Sequence, residues 1–348
     1  MAYVSPGNYS KGALDRAGVA FRDGKAGLDE LHMLENWRAS HLYVINTFQS
    51  TLRSRRRRVD YGNSIIIAQR LKRRPTIIDK LSREPGMSLS RMHDIAGCRL
   101  IFSQADHLSA FRAGVLSSRS AHEIIGGDQN RYDYISSPKD SGYRGVHDVY
   151  KYNVNSQSGK PWNGLRIELQ YRTVAQHSWA TAVEISDIVN STRLKFSDAN
   201  RDITRLFLLA SEILSRALEN MPGYCASMSI RDVVEEFRHL ESNVHAIARL
   251  RNLTSSQFRT FARSARLFIL INYIDGPKSG QFEAERFFDN RTAAIRYSEL
   301  EAELQGQADV VLVGASEQDA VKLAYTNYFG DASLFIKNLD TALDRLSV

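Results

Sequence analysis

Apolar residues recur at helical spacing through residues 34–58, at Leu34, Trp37, Leu42, Ile45, Phe48 and Leu52, and predict one long helix that runs out into Arg55, Arg56, Arg57 and Arg58. Between residues 92 and 175 the pattern changes to the short apolar runs "IAGCRLIF", "HDVYKYNV" and "LRIELQYRT", cut by the turn-forming clusters "GGDQN", "SPKDSG" and "NSQSGKPWNG". These read as strands of one sheet with helices between them. After about residue 176 helical spacing returns in "SDANRDITRLFLLASEILSRALENM" and "MSIRDVVEEFRHLESNVHAIARL", with Ser229 and Asp232 as the start signal of the second. The tail switches once more. "ARLFILINYI" (265–274) and "ADVVLVGA" (308–315) read as buried strands, with "QFEAERFFDNRTAAIRYSELEAEL" and "ASLFIKNLDTALDRL" as helices around them, which predicts a small α+β unit at about 260–348.

Composition narrows the class. A chain of 348 residues with 43% hydrophobic content can bury a proper core, and its length suits two domains. The formal charge of +7 suits a polyanionic partner without choosing among nucleotide, RNA, DNA and anionic lipid. Cys98 and Cys225 are far apart and lack zinc-site or disulfide spacing, so both read as buried thiols. The N-terminus has no secretory pattern and the longest apolar runs are too short to span a bilayer, so a cytoplasmic protein without a membrane partner is expected.

The candidate chemistry lies in the strand-rich part. Asp94 opens one strand and Glu168 lies inside another; two carboxylates facing a common cleft can hold magnesium, whose shell substrate phosphates and water complete. Taken alone, the pair fits solvent-facing acids on an amphipathic strand better. Around it stand the cations Arg70, Lys72 and Lys80 and the hydroxyl of Thr76, with Thr76 and Lys80 on one helix face, a set suited to a triphosphate. Arg99 follows five residues after Asp94, on the opposite strand face by period-two counting unless the strand end shifts the phase. In "YDYISSPKDSGYRGVH" (132–147), Gly142 frees the backbone beside Tyr143, and the loop would present that ring with Lys139, Arg144 and His147 for stacking on a base. A tyrosine packed under a surface turn is the alternative.

In sequence and in order, "RLKRRPTIIDK", "MHDIAGCRLIF", "YDYISSPKDSGYRGVH" and "IELQYRTVAQHSWA" resemble the signature of the RelA/SpoT synthetase domain, over roughly residues 35–190. The resemblance implies an α+β fold, a nucleotidyltransferase-like mixed β-sheet flanked by helices, that moves the β,γ-pyrophosphate of ATP onto a ribose hydroxyl and releases AMP. It implies Arg70 and Arg99 sandwiching adenine, Lys72, Thr76 and Lys80 on the phosphates, Asp94 holding Mg²⁺, and Glu168 positioning the metal and drawing the acceptor proton. Tyr143 would stack on the acceptor base with Lys139, Arg144 and His147 near its phosphates, supported by Gln170 and Arg172. No hydrolase is expected before residue 35, and Gly145 stands where many members carry serine.

The layout also resembles the fused toxin–antitoxin branch called CapRel. That implies a pyrophosphokinase toxin domain at 1–190, a helical linker at 191–258, and a C-terminal regulatory, pseudo-zinc-finger-like α+β domain at 259–348 carrying Tyr325 and Tyr328 as a Y-x-x-Y pair. The acceptor would be the 3′ end of tRNA and the trigger a phage protein bound by the tail. A (p)ppGpp or (p)ppApp synthetase acting on GDP, GTP or adenosine nucleotides is the alternative, and a catalytically dead nucleotide- or RNA-binding regulator a third.

Overall fold

The computed structural model of the chain describes residues 3–191, 199–252, 267–273, 277–278, 281–304, 307–315 and 332–346. Helices α1 (Lys11–Arg22) and α2 (Leu28–Arg56) open the chain. Each starts on a local cap. Ser10 Oγ accepts the Ala13 N–H at 3.1 Å, and Glu30 reaches back to the Gly27 N–H at 2.9 Å. The expected long helix is α2, which starts six residues earlier, at Leu28, and ends at Arg56.

Strands β1 (Ile66–Leu71), β2 (Ala96–Phe102), β4 (Val146–Lys151) and β5 (Arg166–Thr173) carry the site, with α3 (Arg74–Arg83) and α4 (Ala105–Leu116) between them and a short β3 (Glu123–Ile124) at one edge. β2 and β5 run parallel; β1–β2, β4–β5 and β3–β4 are antiparallel. Alternation along the strands sorts the two faces. Ile67, Cys98, Leu100, Phe102, Ile167 and Leu169 are buried in one core with Leu34, Val44, Ile45, Phe48 and Leu52 of α2. Burial stabilises each such aliphatic side chain by roughly 1.5–3 kcal/mol. The opposite face carries Arg70, Gly97, Arg99, Glu168 and Gln170, which are cross-strand neighbours in register.

The tail does not form a sheet of its own. Strands β6 (Leu267–Tyr273), β7 (Phe282–Phe287) and β8 (Ala308–Ala315) continue the first sheet, giving the eight-stranded order β3-β4-β5-β2-β1-β8-β6-β7, with β8 antiparallel to β1. The start of the "QFEAERFF" stretch, expected as helix, is β7; α9 (Asn290–Glu303) begins only after it. Glu, Ala and Arg favour helix, but pairing with β6 decides the matter, and Glu283 and Arg286 leave the outer strand with charge exposed to solvent.

Helices α5 (Val174–Ser191), α6 (Ala199–Glu219), α7 (Ile230–Val244), α8 (Ala246–Asn252) and α10 (Ser333–Arg345) pack into a bundle around Trp179, Leu206, Ile213, Phe237, Phe335 and Leu339. The stretch expected as a linker therefore owns a core, closed by the last helix of the chain. Ser229 Oγ accepts the Asp232 N–H at 3.1 Å and starts α7 as predicted. Cys98 and Cys225 are both free and buried. Tyr325 and Tyr328 lie outside the described residues. No helix among the described residues is long and apolar enough to cross a membrane.

Candidate active site

A glycine near the start of β2 lies at the floor of the site. Gly97 sits between Arg70 on β1 and Glu168 on β5, and lines a cavity of about 100 Å³ with Arg70, Lys72, Asp94, Arg99, Glu168 and Gln170, among others. Arg99 thus shares the cavity with Asp94, contrary to the period-two count. Asp94 precedes β2, which starts at Ala96, so strand alternation does not extend back to it.

Asp94 is held by two cations. Lys72 Nζ lies 2.8 Å from one carboxylate oxygen and Lys80 Nζ 3.1 Å from the other. Burial works against the ionised form of Asp94, but the two lysines outweigh it and hold the group down at about 2. Burial pulls Lys72 below the ordinary lysine value despite Asp94. Thr76 lies in the first turn of α3, four residues before Lys80, on the helix that carries this clamp.

Glu168 has a different set of partners. His147 Nδ1 lies 2.8 Å from one of its oxygens, and the Gln170 amide donates to the other at 2.7 Å. Burial resists its ionisation, yet His147 and Gln170 keep it below the usual glutamate value. His147 Nε2 in turn lies 2.5 Å from the Tyr143 hydroxyl, which also accepts from Arg172 at 2.9 and 3.1 Å. Burial disfavours a charged ring at His147, but Tyr143 and Glu168 override it and push the imidazole up to about 9. With the ring charged, both nitrogens donate. Arg172, Tyr143, His147, Glu168 and Gln170 then form one connected chain of hydrogen bonds.

The loop that carries Tyr143 is docked rather than free. Gly142 has φ +86 and packs so tightly on α6 that a Cβ would stand 2.9 Å from the Leu208 Cα. Ser211 Oγ donates to its carbonyl at 2.6 Å. Tyr143 is half-buried, edge-on to Tyr134 and His147, with the Arg172 guanidinium 5.0 Å from its ring centre. Gly145 accounts for the tyrosine's reach, since a Cβ there would sit 3.2 Å from the Tyr143 hydroxyl. Lys139 lies over Tyr134, 4.2 Å from its ring centre, and 5.5 Å from that of Tyr143.

Arg144 departs from the expectation of an acceptor-binding cation. It is buried and paired with Glu219 at the end of α6, and Glu219 also accepts from Thr173 and from the Gln176 amide at 3.0 Å. In "GYRGVH" the side chain of Arg144 turns to Glu219 in the bundle, while the ring of Tyr143 lies near Trp179 and its hydroxyl reaches His147 on the strand. Of the expected residues, Arg70, Lys72, Asp94, Arg99, Glu168 and Gln170 line one cavity, Lys80 reaches it through Asp94, and His147, Tyr143 and Arg172 join it through Glu168. Gly97 and Tyr134 were not singled out by residue chemistry; a glycine inside an apolar strand and the first aromatic of "YISSPKDSGY" were their signals.

Asp94 disfavours ionisation of Glu168, so the two carboxylates repel each other across the cavity, and a divalent cation with oxygen ligands would relieve that repulsion. No cluster of three or more His, Cys, Asp or Glu suited to a metal occurs among the described residues.

Paired acids and convergent cations on one face of a mixed sheet are the groups that phosphoryl transfer calls for. A family model described as a region found in RelA/SpoT proteins matches residues 69–187. The GTP pyrophosphokinase YjbM of Bacillus subtilis (strain 168) is 32% identical over 165 residues, 47% of this chain and 72% of that protein. The GTP pyrophosphokinase YwaC of the same strain is 30% identical over 118 residues, 32% of this chain and 52% of that protein. A crystal structure of small alarmone synthetase 1 from Bacillus subtilis bound to its product pppGpp is 26% identical, with a TM-score of 0.43 over 52% of this chain and 90% of that one. The chain belongs to the RelA/SpoT synthetase family. It is a pyrophosphotransferase.

Proposed function

We propose that the chain transfers the β,γ-pyrophosphate of ATP to the ribose 3′-hydroxyl of a guanosine nucleotide, GDP or GTP. The observation that carries this reading is the convergence of the Lys72–Asp94–Lys80 clamp and the His147–Glu168 pair on one cavity. Arg70 and Arg99 offer planar guanidiniums for the adenine, and Lys72, Thr76 and Lys80 meet the phosphates. Asp94 and Glu168 would hold Mg²⁺, which supplies charge neutralisation on the phosphate oxygens. Glu168, ionised at neutral pH, takes the proton from the attacking hydroxyl. The ribose oxygen bonds to the β-phosphorus as the bridge to the α-phosphorus breaks, and AMP leaves with that bridging oxygen. A weak carboxylate base suffices, because pyrophosphoryl transfer depends on positioning and charge stabilisation more than on early deprotonation. Tyr143 and Tyr134 supply aromatic surface for the acceptor base, beside Lys139 and Arg172.

A second reading keeps the chemistry and changes the acceptor to the 3′ end of tRNA, in a CapRel-type toxin restrained by its tail and released by a phage component. It is favoured by the formal charge of +7 and by Arg57 and Arg58, which stand exposed at the end of α2. Release of the tail would have to open the β1–β8 pairing between Ala68–Arg70 and Val313–Ala315. A trigger that does so almost completely needs a preference of about 5.5 kcal/mol for the open state.

Incubation with γ-³²P-ATP and either GDP, GTP or deacylated tRNA separates the two. Label in the guanosine nucleotide supports the first reading and label in tRNA the second. ATP consumed without AMP release contradicts both.

A further inference from the structure

Arg38 of α2 is among the most deeply buried side chains of the protein, and it stands between the tail and the site. Every N–H of its guanidinium is used. Nε donates to the main-chain carbonyl of Lys72 at 3.1 Å. One terminal nitrogen donates to Glu35 at 2.7 Å and to Glu301 at 2.7 Å, and the other to the Tyr297 hydroxyl at 2.9 Å and to Glu301 at 3.3 Å. The Tyr297 hydroxyl itself donates to Glu301 at 2.9 Å, and Arg74 donates to the Glu301 carbonyl at 3.3 Å. Glu301 and Tyr297 belong to α9, far along the chain from the synthetase strands. A buried arginine is tolerated only when its charge and its donors are all met, and here the tail supplies half of that.

The same end of the cleft is tied to the tail a second time. β8 pairs with β1 so that Val313 stands opposite Arg70, and the Lys72 N–H donates to the Ile95 carbonyl at 2.9 Å, next to Asp94. Main chain on both sides of Lys72 is thus fixed, and Lys72 Nζ holds Asp94.

We propose that Arg38 and Glu301 are positioning residues for the donor side of the reaction: α9, acting through Arg38, holds the Lys72 main chain and with it the Lys72–Asp94 contact. The inference rests on the reading of Lys72 and Asp94 as donor-site groups. It makes α9 part of the ATP side of the cleft, and any ligand that moves α9 changes affinity for ATP.

The test is binding of a non-hydrolysable ATP analogue with Mg²⁺ to the full-length wild type, Glu301→Gln, Lys72→Met and the double variant, each checked for folding by circular dichroism. Glu301→Gln is expected to weaken binding by roughly threefold to thirtyfold, as for other residues that couple distant parts of a protein. The double variant is expected to bind no worse than Lys72→Met alone. If Glu301→Gln does not fold, Tyr297→Phe, which removes one hydroxyl from the same cluster, is read in its place. An unchanged affinity in the single variant, or an equal loss in both backgrounds, overturns the proposal. A wild type that binds no ATP analogue overturns instead the donor-site assignment on which it rests.

Discussion

His147 Nδ1 lies 2.8 Å from Glu168, so the carboxylate in the middle of β5 is held by the imidazole of the neighbouring strand β4. The ring's other nitrogen reaches Tyr143, and one side chain thereby joins the proposed base to the proposed acceptor platform. A histidine raised from 6.5 to about 9 contributes stability that is fully present below about 6.5 and is lost as pH rises through about 9. An NMR titration of the His147 ring should show its midpoint near 9, and Glu168→Gln should bring it down. A wild-type midpoint at or below the ordinary histidine value would remove the charged pair.

Asp94 works with the opposite sign. Its carboxyl is depressed from 3.8 to about 2, so its contribution is present above the unfolded value and is lost as pH falls toward 2. Asp94→Asn should cost roughly 2–3 kcal/mol at neutral pH. Urea unfolding at pH 7 and at pH 3 measures both values, and the gap between variant and wild type should be smaller at the lower pH.

Two glycines with positive φ separate strain from crowding. Gly127, at φ +70, has nothing within 4 Å of an added Cβ, whereas at Gly142 the same atom would meet the α6 backbone. Gly127→Ala should cost about 1–2 kcal/mol. Gly142→Ala should cost more and should also raise the acceptor KM, because the Tyr143 loop must move; equal melting temperatures for the two variants would contradict the docked loop.

Arg144 supplies a sharper contrast. Breaking its buried pair with Glu219 through Arg144→Met should cost about 3–5 kcal/mol. The acceptor KM of the protein that remains folded should stay within about twofold of wild type, against a stability loss of that size. A raised KM without loss of stability would return Arg144 to the acceptor site.

Much of the site was legible in the sequence because its chemistry is local. Asp94, Lys72 and Lys80 lie within a short stretch, and strand alternation in "RIELQYRT" places Glu168, Gln170 and Arg172 on one face. What stayed hidden depends on long-range packing. Period-two counting failed for Arg99 because the strand begins two residues after Asp94. β7 took a helix-favouring sequence because β6 offered an unpaired edge. Arg38 gave no signal at all: its partner Glu301 is 263 residues away, and nothing in "NWRASH" marks a buried charge.

The central claim is that Asp94 and Glu168 serve one pyrophosphate transfer from ATP, and the most direct measurement is AMP release together with label transfer from γ-³²P-ATP to an acceptor, in wild type, Asp94→Asn and Glu168→Gln. The wild type should release one AMP for each labelled acceptor. Glu168→Gln should be slower by about 10²–10⁴-fold while remaining folded, and Asp94→Asn should be inactive. Unlabelled acceptors in the wild type, or full activity in either variant, would contradict the account.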